Sequence, residues 1–236
     1  NLVRALLAEG RQVRAFDFTR DWRALAGLDV EVVEGDVRDP AALARAFAGA
    51  DVVYHTAGRI SLSRRDGALL ESINVLGVRH VVRACLERGV RRLIHVSSVH
   101  AFRQEPLHVP LDESRPLVRS RRCPPYDRSK AAGEREVRRG MQWGLDAVIL
   151  NPTGMIGPYD YRPSFFGQVL LAMGQGHMPA LVASGFDWVD VRDVAGAAIR
   201  AAERASGGSQ YLLSGHWISM RDLAALVEEI TGVEAP

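Results

Sequence analysis

The sequence predicts an α/β fold, a doubly wound parallel sheet with helices on both faces. Short apolar runs alternate with longer segments of helical periodicity along the first 150 residues. The runs are mostly apolar, as expected of strands covered on both sides. The helical segments carry their own start and stop signals.

Residues 2–8 read as a helix already in progress, stopped at Glu9-Gly10. Val13–Phe18 is the first strand and Val30–Glu34 the second. Asp39 is a good N-cap and Pro40 suits a first helical position, so 40–48 is a helix. Asp51–Thr56 is a strand, and Asp66–Arg88 a long helix ending at Gly89. Leu93–Ser97, the helix Asp127–Arg139 and the strand Ala147–Leu150 complete the alternation.

After Asn151 the rhythm changes. Residues 151–167 are rich in Pro, Gly and aromatics, the composition of a functional loop. Phe165–Met173, Val194–Glu203 and Met220–Thr231 read as helices, and Trp188–Val191 and Tyr211–Leu213 as strands.

The chain has 236 residues, 47% hydrophobic and 25% charged, enough to build a sizeable core. A formal charge of +2 argues against a nucleic-acid binder that works by bulk charge. No apolar run approaches the roughly 20 residues of a membrane span. Two cysteines, Cys85 and Cys123, suit a reduced, cytoplasmic protein. The seven histidines lack metal-ligand spacing, so no metal site is expected. The densest basic run, Arg115–Arg122, is either a solvated loop or one wall of a site for an anionic substrate.

Of the 30 basic residues other than histidine, only Lys130 is a lysine. It stands four positions after Tyr126, so the two share a helix face. An ammonium there lowers the pKa of a phenol and makes Tyr126 a candidate acid/base. Pro124-Pro125 fixes the backbone entering that helix, and Ser97-Ser98 ends the preceding strand. Other strands end in Asp17, in Gly35-Asp36-Val37 and in His55-Thr56-Ala57-Gly58. A carboxylate such as Asp17 can accept the hydroxyls of an adenosine ribose, and small residues let a ligand approach the backbone. All of these lie on the edge where open α/β sheets bind ligands.

These motifs resemble the extended short-chain dehydrogenase/reductase family, the NAD-dependent epimerase/dehydratase group, and among its members the dihydroflavonol-reductase-like and sugar-epimerase-like ones. The likeness also rests on Asn74-Val75-Leu76-Gly77, on the segment from Asn151 to Pro158 and on that from Trp188 to Ala195. It implies a Rossmann fold with a dinucleotide-binding part over 1–150 and a mixed substrate-binding region over 151–236. It implies Tyr126 as catalytic acid/base, Lys130 as its partner on the nicotinamide ribose, and Ser98 on the reacting oxygen, with Ser97 as the alternative. Asp17 would bind the adenosine ribose and Asp36 and Val37 the adenine. Thr56, Ala57 and Gly58 would line the cofactor path, with Pro152 and Thr153 near the nicotinamide. Asn74 would anchor a helix behind the site.

Asp17 favours NAD, because a carboxylate repels a 2′-phosphate, while Arg20 keeps NADP open as the alternative. The substrate implied is a small hydroxy/keto compound or a nucleotide sugar, the latter favoured by Arg162 as well as Arg115–Arg122. A homodimer through the helices of 66–88 and 127–139 is also implied. The rival class is a non-catalytic dinucleotide-sensing scaffold, which the Tyr126–Lys130 pair disfavours. The family's first strand and Gly-rich loop are not in this sequence, and part of the C-terminal region is expected to be missing as well. Made alone, the chain is therefore expected to fold poorly and to bind dinucleotide weakly.

Overall fold

The computed structural model describes residues 1–19 and 21–234. The chain begins with α1 (Leu2–Ala8), β1 (Arg14–Asp17), β2 (Glu31–Glu34), α2 (Pro40–Ala46) and β3 (Val52–His55). There follow α3 (Gly67–Glu71), α4 (Val78–Glu87), β4 (Arg92–Val96), α5 (Pro125–Gln142) and β5 (Ala147–Pro152). The remainder is β6 (Gly154–Ile156), α6 (Phe165–Gly174), β7 (Gly185–Asp190), α7 (Val191–Arg204), β8 (Gln210–Leu213), β9 (His216–Ser219) and α8 (Met220–Thr231).

The central sheet is wholly parallel, in the order β3-β4-β5-β8, and β1 and β2 form a separate parallel pair. Thus β1 and β3, which the sequence leaves without a shared neighbour, belong to different sheets. Helices cover both faces of the central sheet. On one side Val78, Val81, Val82 and Cys85 of α4 and Val137 of α5 pack on Leu93 and Ile149. On the other, Ala198, Ala201 and Ala202 of α7 pack on Ile94, Val148 and Leu150. Adjacent strand residues therefore feed opposite cores, which is why these strands are mostly apolar.

The expected helix over 66–88 is interrupted. Ser72–Gly77 forms a π-helical turn between α3 and α4, holding the buried Asn74. The extra residue of such a turn leaves no signature in hydrophobic spacing. The 151–167 segment is not all loop: β6 lies within it and pairs with β7, which pairs in turn with β9. This second sheet packs with α6 and α8 around Trp188 and Met173. Val191 opens α7 rather than closing a strand, because the Asp190 side chain accepts from the Arg192 N–H and caps the helix. Among the described residues, no helix is long and apolar enough to cross a membrane.

Candidate active site

Three parallel strands deliver their C-terminal ends to one edge. The β3–β4 register sets His55 beside His95, and the β4–β5 register sets Val96 beside Leu150. The residues that follow, Thr56–Gly58, Ser97–Ser98 and Thr153, therefore emerge together. Helix α5 supplies the other wall.

Proline at its first position lets α5 start sharply after Pro124 and places Tyr126 in the first turn. Ser98 stands beside Tyr126, and its hydroxyl pulls the phenol pKa down. That hydroxyl also accepts from the His100 N–H at 3.2 Å, which caps a short 3₁₀ turn and fixes the serine. The His100 ring lies edge-on to Tyr126, its centroid 5.8 Å away, and His100 Nδ1 is 3.4 Å from Asp127 Oδ1.

One turn further along α5, Lys130 Nζ donates to the Val96 carbonyl at 3.2 Å. Burial pulls the Lys130 ammonium down to about 8, against an opposing pull from Glu134. Tyr126 shifts upward, against the expectation from the Tyr–Lys spacing. Burial of the phenolate outweighs the opposing pull of the Ser98 hydroxyl, and the Asp127 carboxylate adds to it. The phenol is thus held in its protonated form.

Behind this trio the polar groups are tied down. Asn74 Nδ2 donates to the Arg59 carbonyl and to Ser129 Oγ, each at 2.9 Å, and Asn74 Oδ1 accepts from the Arg59 N–H at 2.8 Å. Asn74 thereby pins the loop after β3 to α5. A Cβ on Gly58 would lie 3.5 Å from Asn74 Oδ1 and 3.7 Å from Lys130 Nζ, which places Gly58 against Lys130. Thr56, Ala57 and Gly58 are exposed.

The remaining expected residues are spread along the edge and beyond it. Asp17 closes β1 and accepts from the Thr19 N–H at 3.1 Å. Asp36 is held in a two-pronged pair with Arg38, at 2.6 and 3.0 Å, which lowers its carboxyl pKa. Val37 packs against the helix at Gly77, where a Cβ would meet it at 2.8 Å. Pro152 is buried at the end of β5. Thr153 joins the two larger sheets, donating to Asp187 Oδ1 at 2.8 Å and to the Leu213 carbonyl. Arg20 lies outside the described residues.

Two of the expected substrate-facing arginines have other partners. Arg162 reaches Asp21 at 3.3 Å and also bonds Thr19. Arg115 braces its own loop through the Val109 carbonyl at 2.9 Å.

Sequence reasoning missed two buried groups. His55 and His95 lie side by side beneath Lys130, and the fully buried Glu134 follows Lys130 on α5. The first was signalled by matching positions on neighbouring strands, the second by the four-residue spacing Tyr126, Lys130, Glu134.

The donor set suits a dinucleotide: a carboxylate at the end of β1, a small-residue backbone after β3 and one ammonium beside it. Fold and site together define a Rossmann enzyme of the extended short-chain dehydrogenase/reductase type. Residues 1–213 match the NAD dependent epimerase/dehydratase family, and the chain belongs to it. Sterol demethylase protein B of Methylococcus capsulatus is 37% identical over 242 residues, covering 100% of this chain and 72% of that protein. A putative dihydroflavonol 4-reductase of Synechocystis is 34% identical, covering 100% of this chain and 70% of that one. The solved UDP-glucose 4-epimerase of Thermus thermophilus, in complex with NAD, is 26% identical, with a TM-score of 0.86 over 99% of this chain and 80% of that one.

Proposed function

We propose that this protein is a carbonyl/carbinol oxidoreductase in which Tyr126 moves the proton. The observation that supports this reading is the grouping of Ser98, Tyr126 and Lys130 at one strand edge, with Lys130 one helical turn after Tyr126 and tied to the Val96 carbonyl. NAD, when bound, supplies or takes up the hydride. Lys130 and Asp17 would hold its two riboses, Thr56–Gly58 its path along the edge, and Asp36 and Val37 its adenine end. Pro152 and Thr153 would border the nicotinamide.

The protein's own steps follow from the geometry. Ser98 donates to the substrate oxygen and fixes it beside the phenol. Tyr126, kept protonated by burial, gives its proton to that oxygen as negative charge develops on the carbonyl. In the reverse direction the same phenolate takes the proton from a carbinol. Lys130 adds positive charge next to the reacting oxygen.

The substrate class this reading favours is an apolar hydroxy/keto compound rather than a nucleotide sugar. The relatives at 37% and 34% identity are named for sterol demethylation and for a reductase. Ile60 and Leu62, exposed in the loop after Gly58, give that loop an apolar face. Dimerisation through α4 and α5 belongs to the same reading, supported by the exposed Trp143 just beyond α5.

The test is to incubate the intact gene product with NADH or NADPH and a panel of cyclic and steroidal ketones, alongside UDP-glucose. Oxidation of NADH by a ketone supports the proposal. Conversion of UDP-glucose to its C4 epimer, with NAD retained on the protein, would overturn the reductase reading in favour of an epimerase.

A further inference from the structure

Glu134 is fully buried in the middle of α5, two turns after Tyr126 and one after Lys130. Asn151 Nδ2 donates to Glu134 Oε1 at 2.6 Å, and Gln210 Nε2 donates to Oε2 at 3.0 Å. The same Asn151 Nδ2 donates to the Ser98 carbonyl at 2.9 Å, and Asn151 Oδ1 accepts from Gln210 Nε2 at 2.7 Å. Arg138 holds the Gln210 carbonyl oxygen, which leaves the amide nitrogen facing the carboxyl. Ser97 Oγ is buried next to Glu134 without a hydrogen bond of ordinary geometry.

Stability alone does not account for this carboxyl. Burial pushes the Glu134 pKa up, and a well-packed apolar side chain in its place would carry no such cost. What the network does achieve is local. Both side-chain amides beside it, Asn151 and Gln210, donate toward Glu134, an arrangement matched to a carboxylate. Through one shared amide, that carboxylate is tied to the backbone of Ser98. The charged or titratable groups around it are Arg138 and Lys130 of its own helix. Around Lys130 stand Glu134 itself and the neutral His55 and His95 of β3 and β4.

We propose that Glu134 is a positioning residue for the reaction: it fixes Ser98 through Asn151 and stands one helical turn from Lys130 as its buried counter-charge. This rests on the reading of Tyr126, Ser98 and Lys130 as the reacting group. Glu134 itself touches neither substrate nor cofactor.

Lys130 is the single lysine of the sequence, so lysine labelled with ¹³C at Cε reports on it alone in this chain. The Lys130→Arg variant assigns the signal in the intact protein. The Lys130 titration is followed in the wild type, in Glu134→Gln and in Glu134→Asp. In Glu134→Gln the midpoint falls by about one pH unit, and kcat falls at least about tenfold while the KM for NADH changes less than about threefold. Glu134→Asp, which keeps the charge, brings the midpoint back to within about half a pH unit of wild type. A Lys130 midpoint in Glu134→Gln equal to that of wild type overturns the proposal, whatever happens to kcat. Should Glu134→Gln not fold, Gln210→Met removes one donor to the carboxyl from the rim of the network. A lower Lys130 midpoint then supports the proposal, and an unchanged one overturns it. Tyr126→Phe, assayed in parallel, keeps the two readings apart. If that variant keeps full turnover, the Tyr126 reading fails, and the lysine titration still decides the role of Glu134.

Discussion

His55 and His95 face each other across the β3–β4 ladder with their Nδ1 atoms 3.0 Å apart. Their rings are nearly parallel, with centroids 5.1 Å apart. Only one of two such nitrogens can carry the shared proton, so one Nδ1 donates and the other accepts. Burial drives His55 down to about 3 and His95 well below its usual value, and the Lys130 charge pushes both the same way. The floor of the site therefore stays uncharged and leaves Lys130 as the positive group at the strand edge.

This pair makes the fold acid-sensitive in a defined window. Below the ordinary histidine value of 6.5 the unfolded chain takes up protons that the folded pair refuses. Stability then falls as pH drops from about 6.5 toward 3, and it is fully present above that range. The melting temperature should fall steadily between pH 6.5 and 4.5, and less steeply in a His55→Gln/His95→Gln variant. Equal slopes for the two proteins would show that another group controls the window.

Gly133 is required by a close approach. A Cβ there would stand 2.5 Å from the Asn74 carbonyl oxygen in the π-helical turn. Gly133→Ala must push α5 away from Asn74, at a cost of about 1–3 kcal/mol. Urea denaturation should show the lower midpoint with an unchanged slope, and activity should fall with it, because Asn74 also holds the loop carrying Gly58. A midpoint equal to wild type would mean that α5 shifts freely.

Asp17 decides between the two nicotinamide cofactors in this account. Asp17→Ser should weaken NADH binding about tenfold, the worth of one charge-assisted hydrogen bond, and strengthen NADPH binding relative to it. Fluorescence titration of both cofactors reads this directly. Unchanged NADH affinity would remove Asp17 from the ribose site.

Thr153 ties β5 to the second sheet through Asp187, which also accepts from the Gly215 N–H at 2.9 Å. Thr153→Val removes one bond and leaves Asp187 underused, so a loss of about 1 kcal/mol is expected by thermal or chemical denaturation. Tighter folding in the variant would show that the hydroxyl is not needed as a link.

The central architecture was legible because β4 and β5 are rich in apolar residues that feed the cores on both faces. The shared face of Tyr126 and Lys130 follows from their spacing, to which the single lysine and the serine pair at a strand end added weight, while the choice of Ser98 over Ser97 came from the family resemblance. Other features depend on neighbours distant in sequence. Glu134 sits among Arg135, Arg138 and Arg139 and reads as one more surface charge until Asn151 and Gln210 close over it. The His55–His95 contact depends on strand register, which single-strand patterns do not contain. The π-helical turn at Asn74 adds a residue without breaking the apolar rhythm, and β6 and β9 are too short and too close to glycines to stand out.

Delivery of the proton by Tyr126 is open to a single-turnover experiment. Wild-type protein and Tyr126→Phe are saturated with NADH, mixed with a ketone substrate, and followed by the loss of nicotinamide absorbance. Tyr126→Phe should keep NADH affinity within about twofold of wild type and slow the first turnover by about 10²–10⁴-fold, the usual contribution of a positioned acid. A first turnover in Tyr126→Phe as fast as in wild type would contradict it and move the proton-donor role to another group.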